Sequence, residues 1–220
     1  MITEGVFSMS GAQGKLKEIC SLKSTYDFRL LVDDAHGFGV MGPKGNGTVC
    51  ADGLEEKVDL YFTTFTKSMA SFGAIIAGKK EIVNYFKYNL RSQMFSKSLP
   101  MPIVYGLNER LKIIGKAHDN RKKLFEITDL IQGGLRKRNL LSDEVNSYIT
   151  PIYFNIKLED VCNIQNELVY SHGVFCSIII YPVVPKGCVI FRITPTSLHT
   201  REDVNDTLQS FDAVFKKYIK

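Results

Sequence analysis

Three short stretches of the sequence hold residue types that organic catalysis needs. Val32-Asp33-Asp34-Ala35-His36-Gly37-Phe38-Gly39 sets two carboxylates and a histidine where an apolar run ends, and its glycines let the backbone turn sharply. In an open α/β sheet that is the carboxyl edge, where ligands bind; the same pattern also suits a polar turn that merely closes a strand. Thr63-Thr64-Phe65-Thr66-Lys67-Ser68 again lies just beyond an apolar run. Its lysine is either a solvated surface charge or an amine able to form a Schiff base with a carbonyl cofactor, the hydroxyls then serving the cofactor's phosphate. In Val189-Ile190-Phe191-Arg192-Ile193-Thr194-Pro195, alternation puts Val189, Phe191 and Ile193 on one face and Arg192 on the other. An arginine inside a strand calls for an anion, and its planar fork suits a carboxylate; a structural ion pair or a snorkelling edge residue reads the same way.

The first two stretches gain meaning together. An acid for a pyridinium nitrogen and a Schiff-base lysine on neighbouring strand ends are the pair that pyridoxal phosphate requires.

Strands must end beneath these residues. Arg29-Leu30-Leu31-Val32 suits a strand covered on both faces; residues 60–64 form a second such run and residues 72–77 a third. Helices are expected over residues 15–25 and 81–90, the rhythm of an α/β layered domain with a mainly parallel sheet. Beyond Pro100 and Pro102, Val104, Leu107, Leu111 and Ile114 take helical spacing, as do Leu124, Ile127, Leu130 and Ile131, and Gly133-Gly134 reads as a boundary. Strands over residues 149–156, 174–181 and 189–194 then alternate with helices over 158–171 and 201–219, a small α+β domain. The expected division is residues 1–117 as part of a large domain and 118–220 as a linking helix and small domain. The chain opens almost directly on a motif, without elements to complete a large parallel sheet, and reads as the later part of a longer protein.

Composition narrows the classes. The 220 residues are 45% hydrophobic and 23% charged, the profile of a globular protein rather than a disordered or fibrous one. The longest apolar stretch, residues 174–184, is too short to cross a bilayer and holds Ser177 and Pro182, and no signal-peptide pattern appears at Met1. Five cysteines, far apart and never in a Cys-x-x-Cys pair, read as reduced thiols of a cytoplasmic protein, mostly in or near the core, and no metal site is expected. The net charge of +5 suits an anionic ligand, but no basic stripe interleaved with aromatics argues for nucleic acid. Arg121-Lys122-Lys123 and Arg136-Lys137-Arg138 read as solvated faces or ends of helices.

Thr3-Glu4-Gly5-Val6-Phe7-Ser8-Met9-Ser10-Gly11, then Val32 to Gly37, then Thr64-Phe65-Thr66-Lys67-Ser68 resemble the α-oxoamine synthases. Phe95-Ser96-Lys97-Ser98-Leu99-Pro100, and Tyr181-Pro182-Val183-Val184-Pro185 followed by Arg192, fall in the same family's order. The ordered set covers nearly the whole chain. The resemblance implies a fold-type-I, aspartate-aminotransferase-like enzyme that uses pyridoxal 5'-phosphate to condense an amino acid with an acyl-CoA, losing carbon dioxide. It also implies a homodimer in the complete protein.

By the same resemblance, Lys67 is the lysine that binds the cofactor's carbonyl carbon and later moves the α-proton. Asp33 bonds the pyridine nitrogen, and His36 and Ser8 approach the phenolic oxygen. Thr64 is a phosphate ligand, Ser96 lies in a segment that reaches the neighbouring subunit's phosphate, Glu4 is an acidic active-site residue, and Arg192 receives the amino-acid carboxylate. Thr-Phe-Thr-Lys-Ser resembles the serine palmitoyltransferase form most closely, whereas Glu4 to Met9 and Asp33 to His36 equally suit 8-amino-7-oxononanoate synthase and glycine C-acetyltransferase. The sequence departs from the family in lacking an N-terminal part with a glycine-containing phosphate-binding stretch and a ring-stacking aromatic. Gly45-Asn46-Gly47 and Phe72-Gly73-Ala74 also replace a Gly-Arg-Gly and a Gly-Gly pair. The competing expectation is a truncated non-catalytic product or a partner subunit.

Overall fold

The computed structural model describes residues 1–218, which form two compact units: residues 1–7 with 13–119, and residues 8–12 with the chain from Asn120 onward. In the first unit the chain runs β1 (Ile2–Glu4), α1 (Leu16–Ser21), β2 (Leu31–Asp33), α2 (Thr48–Ala51), β3 (Leu60–Thr64), β4 (Ala74–Gly78), α3 (Lys80–Asn89), α4 (Arg91–Met94) and α5 (Met101–Lys116). The sheet order is β1-β2-β3-β4; the first three strands are parallel, and β4 turns back antiparallel on β3. The sheet is thus mostly parallel, in an α/β layer.

Val32 packs with Leu16, Cys20, Leu30, Val49 and Leu54, so alternation turns Leu31 and Asp33 to the other face of the sheet. The register sets Glu4 opposite Asp33 and Asp33 opposite Phe62, a row across three strands on that same face. The strand expected over residues 29–32 starts only at Leu31, because the Leu30 N–H donates to the Asp59 carboxylate (2.8 Å) instead of to a ladder partner. The helix expected over residues 15–25 narrows to a 3₁₀ turn after Ser21.

The second unit holds α6 (His118–Arg136, whose first two residues fall in the first unit), β5 (Thr150–Asn155), α7 (Leu158–His172), β6 (Ser177–Ile179), β7 (Cys188–Ile193) and α8 (Arg201–Tyr218). Its antiparallel sheet, ordered β5-β7-β6, has β7 at the centre. Val189, Phe191 and Ile193 point into one core with Ile127, Leu135, Ile164 and Phe211, and Phe191 meets Phe154 and Phe215 edge to face.

Several expectations are corrected here. Gly133 and Gly134 are no boundary: α6 runs through both, and Leu208 packs on Gly134 so closely that a Cβ there would collide. The helix stops after Arg136, with Asn139 in the left-handed region. The strand expected over 174–181 shortens to β6, because Val174 N–H caps α7 on Leu168 O (2.8 Å) and a turn begins at Ile180. The basic runs are not simply solvated: Arg121 is buried, Arg136 donates to Val145 O (2.9 Å), and Arg138 grips Asp212 with both arms at 2.6 Å. Of the cysteines, Cys20 and Cys176 are buried, Cys50 and Cys188 half-buried and Cys162 exposed; all are free thiols. Ile219, the expected last residue of the final helix, lies outside the described residues.

Candidate active site

Two of the three chemical stretches meet in the first unit. β2 and β3 are neighbours and parallel, so the Asp33 turn and the Lys67 loop leave the same edge of the sheet. After β3 the chain folds into a closed loop: Phe65 N–H donates to Gly73 O (2.9 Å), Ser71 N–H to Phe65 O (2.9 Å) and Ala70 N–H to Lys67 O (3.0 Å). Phe65 and Met69 anchor it, buried with Leu107 against Leu99, Ile103 and Phe38. Lys67 lies between those anchors and is exposed, and no described residue holds its Nζ by an ion pair or hydrogen bond. Ala70, at φ 43°, takes a left-handed conformation that a non-glycine residue rarely adopts. Gly39, at φ 86°, closes the contact between the two stretches: a side chain there would strike Ser68.

Asp33 is half-buried at the end of β2, and its Oδ1 accepts the Ala35 N–H (3.0 Å). Glu4, half-buried, occupies the neighbouring position on β1. His36 is half-buried in the turn that follows. Thr64 shares the Asp33 face; its hydroxyl is 3.0 Å from that of Thr66 and 3.3 Å from Gly73 O. Ser96 is exposed in the segment between α4 and α5.

Asp34 behaves differently from its neighbour. It is wholly buried, and Thr48 N–H (2.7 Å), Thr48 O–H (2.8 Å) and Tyr61 O–H (2.9 Å) all donate to its carboxylate. Burial holds its carboxyl above the ordinary value, with the bonds from Thr48 and Tyr61 opposing. Burial and the Asp34 charge likewise push the Tyr61 phenol up. Thr48 and Tyr61 were not singled out from the sequence. The available signal was the alternation of β3, which sets Tyr61 beside Val32 and away from the Asp33 face.

The third stretch lies in the second unit. Arg192 is half-buried in the central strand, between Pro151 and Ser177. Its Nη1 donates to the Ser8 carbonyl (3.1 Å), and its buried Nε has no partner. Tyr153 O–H holds the next residue of that loop through Met9 O (3.2 Å), and Gly11, at φ 67°, packs against Ile149 O with no room for a side chain. Ser8 and Arg192 are therefore joined, a link the sequence did not reveal. Next to the strand ends lies a cavity of about 570 Å³, lined by Arg192, Ser177, Phe175, His172, His199 and Leu198 among others. His118, His172 and His199 are exposed. Among the described residues no three His, Cys, Asp or Glu side chains gather as a metal site, and no helix is long and apolar enough to cross a membrane.

Residues 1–211 match the aminotransferase class I and II family. A cysteate-C-fatty acyltransferase of Capnocytophaga ochracea is 46% identical over 217 residues, 99% of this chain and 52% of that protein. An 8-amino-7-oxononanoate synthase of Thermosipho melanesiensis is 35% identical over 218 residues, 99% of this chain and 55% of that protein. A solved serine palmitoyltransferase from S. paucimobilis, with a PLP–myriocin aldimine bound, superposes with a TM-score of 0.90 at 26% identity, over 99% of this chain and 55% of that one. The chain spans about half the length of the curated relatives it matches.

Proposed function

Because the chain belongs to the aminotransferase class I and II family, we propose that it is the lysine-bearing part of a pyridoxal-phosphate-dependent α-oxoamine synthase, which joins an amino acid to an acyl-CoA. The observation that carries this reading is Lys67, an unheld amine at the tip of an anchored loop that packs on the Asp33 turn. The residues present fit the cofactor: Lys67 for its carbonyl carbon, Asp33 for its ring nitrogen, His36 and Ser8 for its phenolic oxygen and Thr64 for its phosphate, with Ser96 in a segment that reaches the neighbouring subunit's phosphate. When bound, pyridoxal phosphate supplies a pyridinium ring that draws electrons from a breaking substrate bond.

The remaining chemistry falls to the chain. Asp33 keeps the ring nitrogen protonated by pairing with it. Lys67 would take the proton from the α-carbon of the bound amino acid, and Glu4 adds an acidic group on the same sheet face as Asp33. Arg192 holds the amino-acid carboxylate through its unpartnered Nε, a buried donor that otherwise goes unsatisfied. A bond forms between the α-carbon and the acyl carbon, coenzyme A leaves as the thiol, the carboxylate leaves as carbon dioxide, and a proton returns to the α-carbon.

Relatedness favours a fatty acyl group and cysteate as the amino acid: 46% identity to the cysteate enzyme, against 35% to the 8-amino-7-oxononanoate synthase and 31% and 32% to two serine palmitoyltransferases. A homodimer, a cytoplasmic location, and a division into residues 1–117 of the cofactor domain and 118–220 of the linking helix and small domain belong to the same reading. Full-length protein given pyridoxal phosphate should gain visible-edge absorbance that borohydride fixes as a label on the Lys67 peptide; a label on another lysine overturns the assignment. Coenzyme A release from palmitoyl-CoA should be faster with cysteate than with serine or alanine. Release with none of the three overturns the reaction.

A further inference from the structure

Asp34 follows the acid assigned to the cofactor, yet its side chain joins Tyr61, on the opposite side of the strand end from Asp33. Three donors from α2 and β3 converge on it. Its backbone ties the same place together: its N–H donates to Phe62 O (2.8 Å), and its carbonyl accepts Gly37 N–H (3.0 Å) and Phe38 N–H (2.9 Å). Gly5, Gly37 and Gly47 crowd the carboxylate so closely that a Cβ on any of them would collide with it. Those glycines come from the end of β1, the His36 turn and the residue before α2, so one side chain gathers three segments. No described cation pairs with this carboxylate, and a buried charge without one is costly. What the carboxylate provides is geometry.

We propose that Asp34 is a positioning residue: its buried carboxylate fixes the turn from which Asp33 and His36 leave the chain, and so sets the direction of both toward the cofactor. The part about the cofactor rests on the function proposed above; the part about the turn does not. Asparagine can keep the frame, because its carbonyl oxygen still meets Thr48 N–H and Tyr61 O–H while its amide donates to the Thr48 hydroxyl. Alanine leaves three donors unpaired.

The test uses full-length protein and two measurements, hydrogen exchange over residues 34–48 without cofactor and the dissociation constant for pyridoxal phosphate. Asp34→Ala should speed exchange across the turn and weaken cofactor binding by about tenfold or more, as loss of a supporting hydrogen bond does at other preorganised sites. Asp34→Asn should stay within about threefold of wild type, and Tyr61→Phe should fall between the two. Exchange and cofactor affinity that stay at wild-type values in Asp34→Ala, with only the melting temperature lowered, overturn the proposal. So does an Asp34→Asn protein as impaired as Asp34→Ala, since charge rather than hydrogen bonding would then act. If Asp34→Ala does not fold, unchanged exchange and affinity in Tyr61→Phe overturn it instead. Wild-type protein that binds no pyridoxal phosphate defeats the cofactor reading, while exchange still decides whether Asp34 holds the turn.

Discussion

The two units bury their apolar residues in different ways. In the second, sixteen buried side chains form one cluster between a three-stranded sheet and α6, α7 and α8. In the first, the sheet's buried neighbours form one cluster of six and the Lys67 loop's anchors another of three. Both units leave large apolar side chains more than two-thirds exposed: Ile2, Phe72, Tyr88 and Phe95 in the first, Tyr170, Phe175 and Leu198 in the second. The proposed chemistry follows the same division: Lys67, Asp33 and His36 lie on the unit whose buried apolar residues form two separate clusters, and Arg192 on the central strand of the unit with one. Substitutions on the first unit should therefore change activity more than stability, and core substitutions in the second should do the reverse.

The largest expected effect tests the first half of that contrast. Lys67→Ala in full-length protein should lower kcat by about 10³-fold or more, losing both covalent attachment and the proton carrier. Because Lys67 is exposed and unpaired, melting should move by no more than about 0.5 kcal/mol. Asp33→Asn should also cut kcat steeply with the fold intact. Comparable turnover in Asp33→Asn would give its role to another group, and a large stability loss in Lys67→Ala would break the contrast.

Phe191→Ala opens a cavity at the meeting point of Phe154 and Phe215 and should cost about 3–5 kcal/mol. Phe65→Ala removes one of only three buried anchors and should cost about 1.5–3 kcal/mol. It should lower kcat as well, because the loop that presents Lys67 loses its hold. Denaturant melts monitored separately in each unit compare the two, and equal costs would show that the small cluster is as strongly coupled as the large one.

Much of this was legible in the sequence where pattern and chemistry coincided. The run at residues 60–64 is β3 to the residue, because a continuous apolar-rich run followed by a polar loop marks it. Gly133-Gly134 misled because a glycine can serve helix packing as well as a break, and only the place of Leu208 decides which. The acidic pair shows the same limit at the site. Asp33 and Asp34 are chemically identical, and only tertiary donors, Thr48 and Tyr61, make one a buried brace and leave the other on the open face. The Arg192–Ser8 bond joins residues 184 positions apart, beyond any local pattern.

That bond sharpens the expectation for Arg192. Arg192→Lys loses the bidentate fork, so the amino-acid KM should rise by the equivalent of about 1.5–3 kcal/mol, with the acyl-CoA KM little changed. The same substitution disturbs the Ser8 loop, so Tyr153→Phe, which removes only the Met9 bond, is the control. A matching KM rise in the control would assign the effect to the loop, and an unchanged amino-acid affinity in Arg192→Lys would remove the carboxylate role.

The smallest effect sets one acid from each unit against the other. Burial holds the Asp34 carboxyl above the ordinary value, so the folded state binds its proton more tightly than the unfolded state does. Between the ordinary carboxylate value and the raised one, its contribution to stability therefore grows as pH falls. The hydrogen bonds from Arg138 hold Asp212 below the ordinary value; its contribution is complete above that value and is lost as pH falls through the lowered one. Asp212 is half exposed, which limits the pair to about 1 kcal/mol at most. Melting of wild type, Asp34→Asn and Asp212→Asn from pH 7 down to acid should give differences of opposite slope. The Asp212→Asn deficit should shrink on acidification, while the balance between Asp34→Asn and wild type should shift toward wild type. Parallel slopes would mean that Asp34 titrates like a surface acid, and the distinction between a buried brace in one unit and a surface pair in the other would fail.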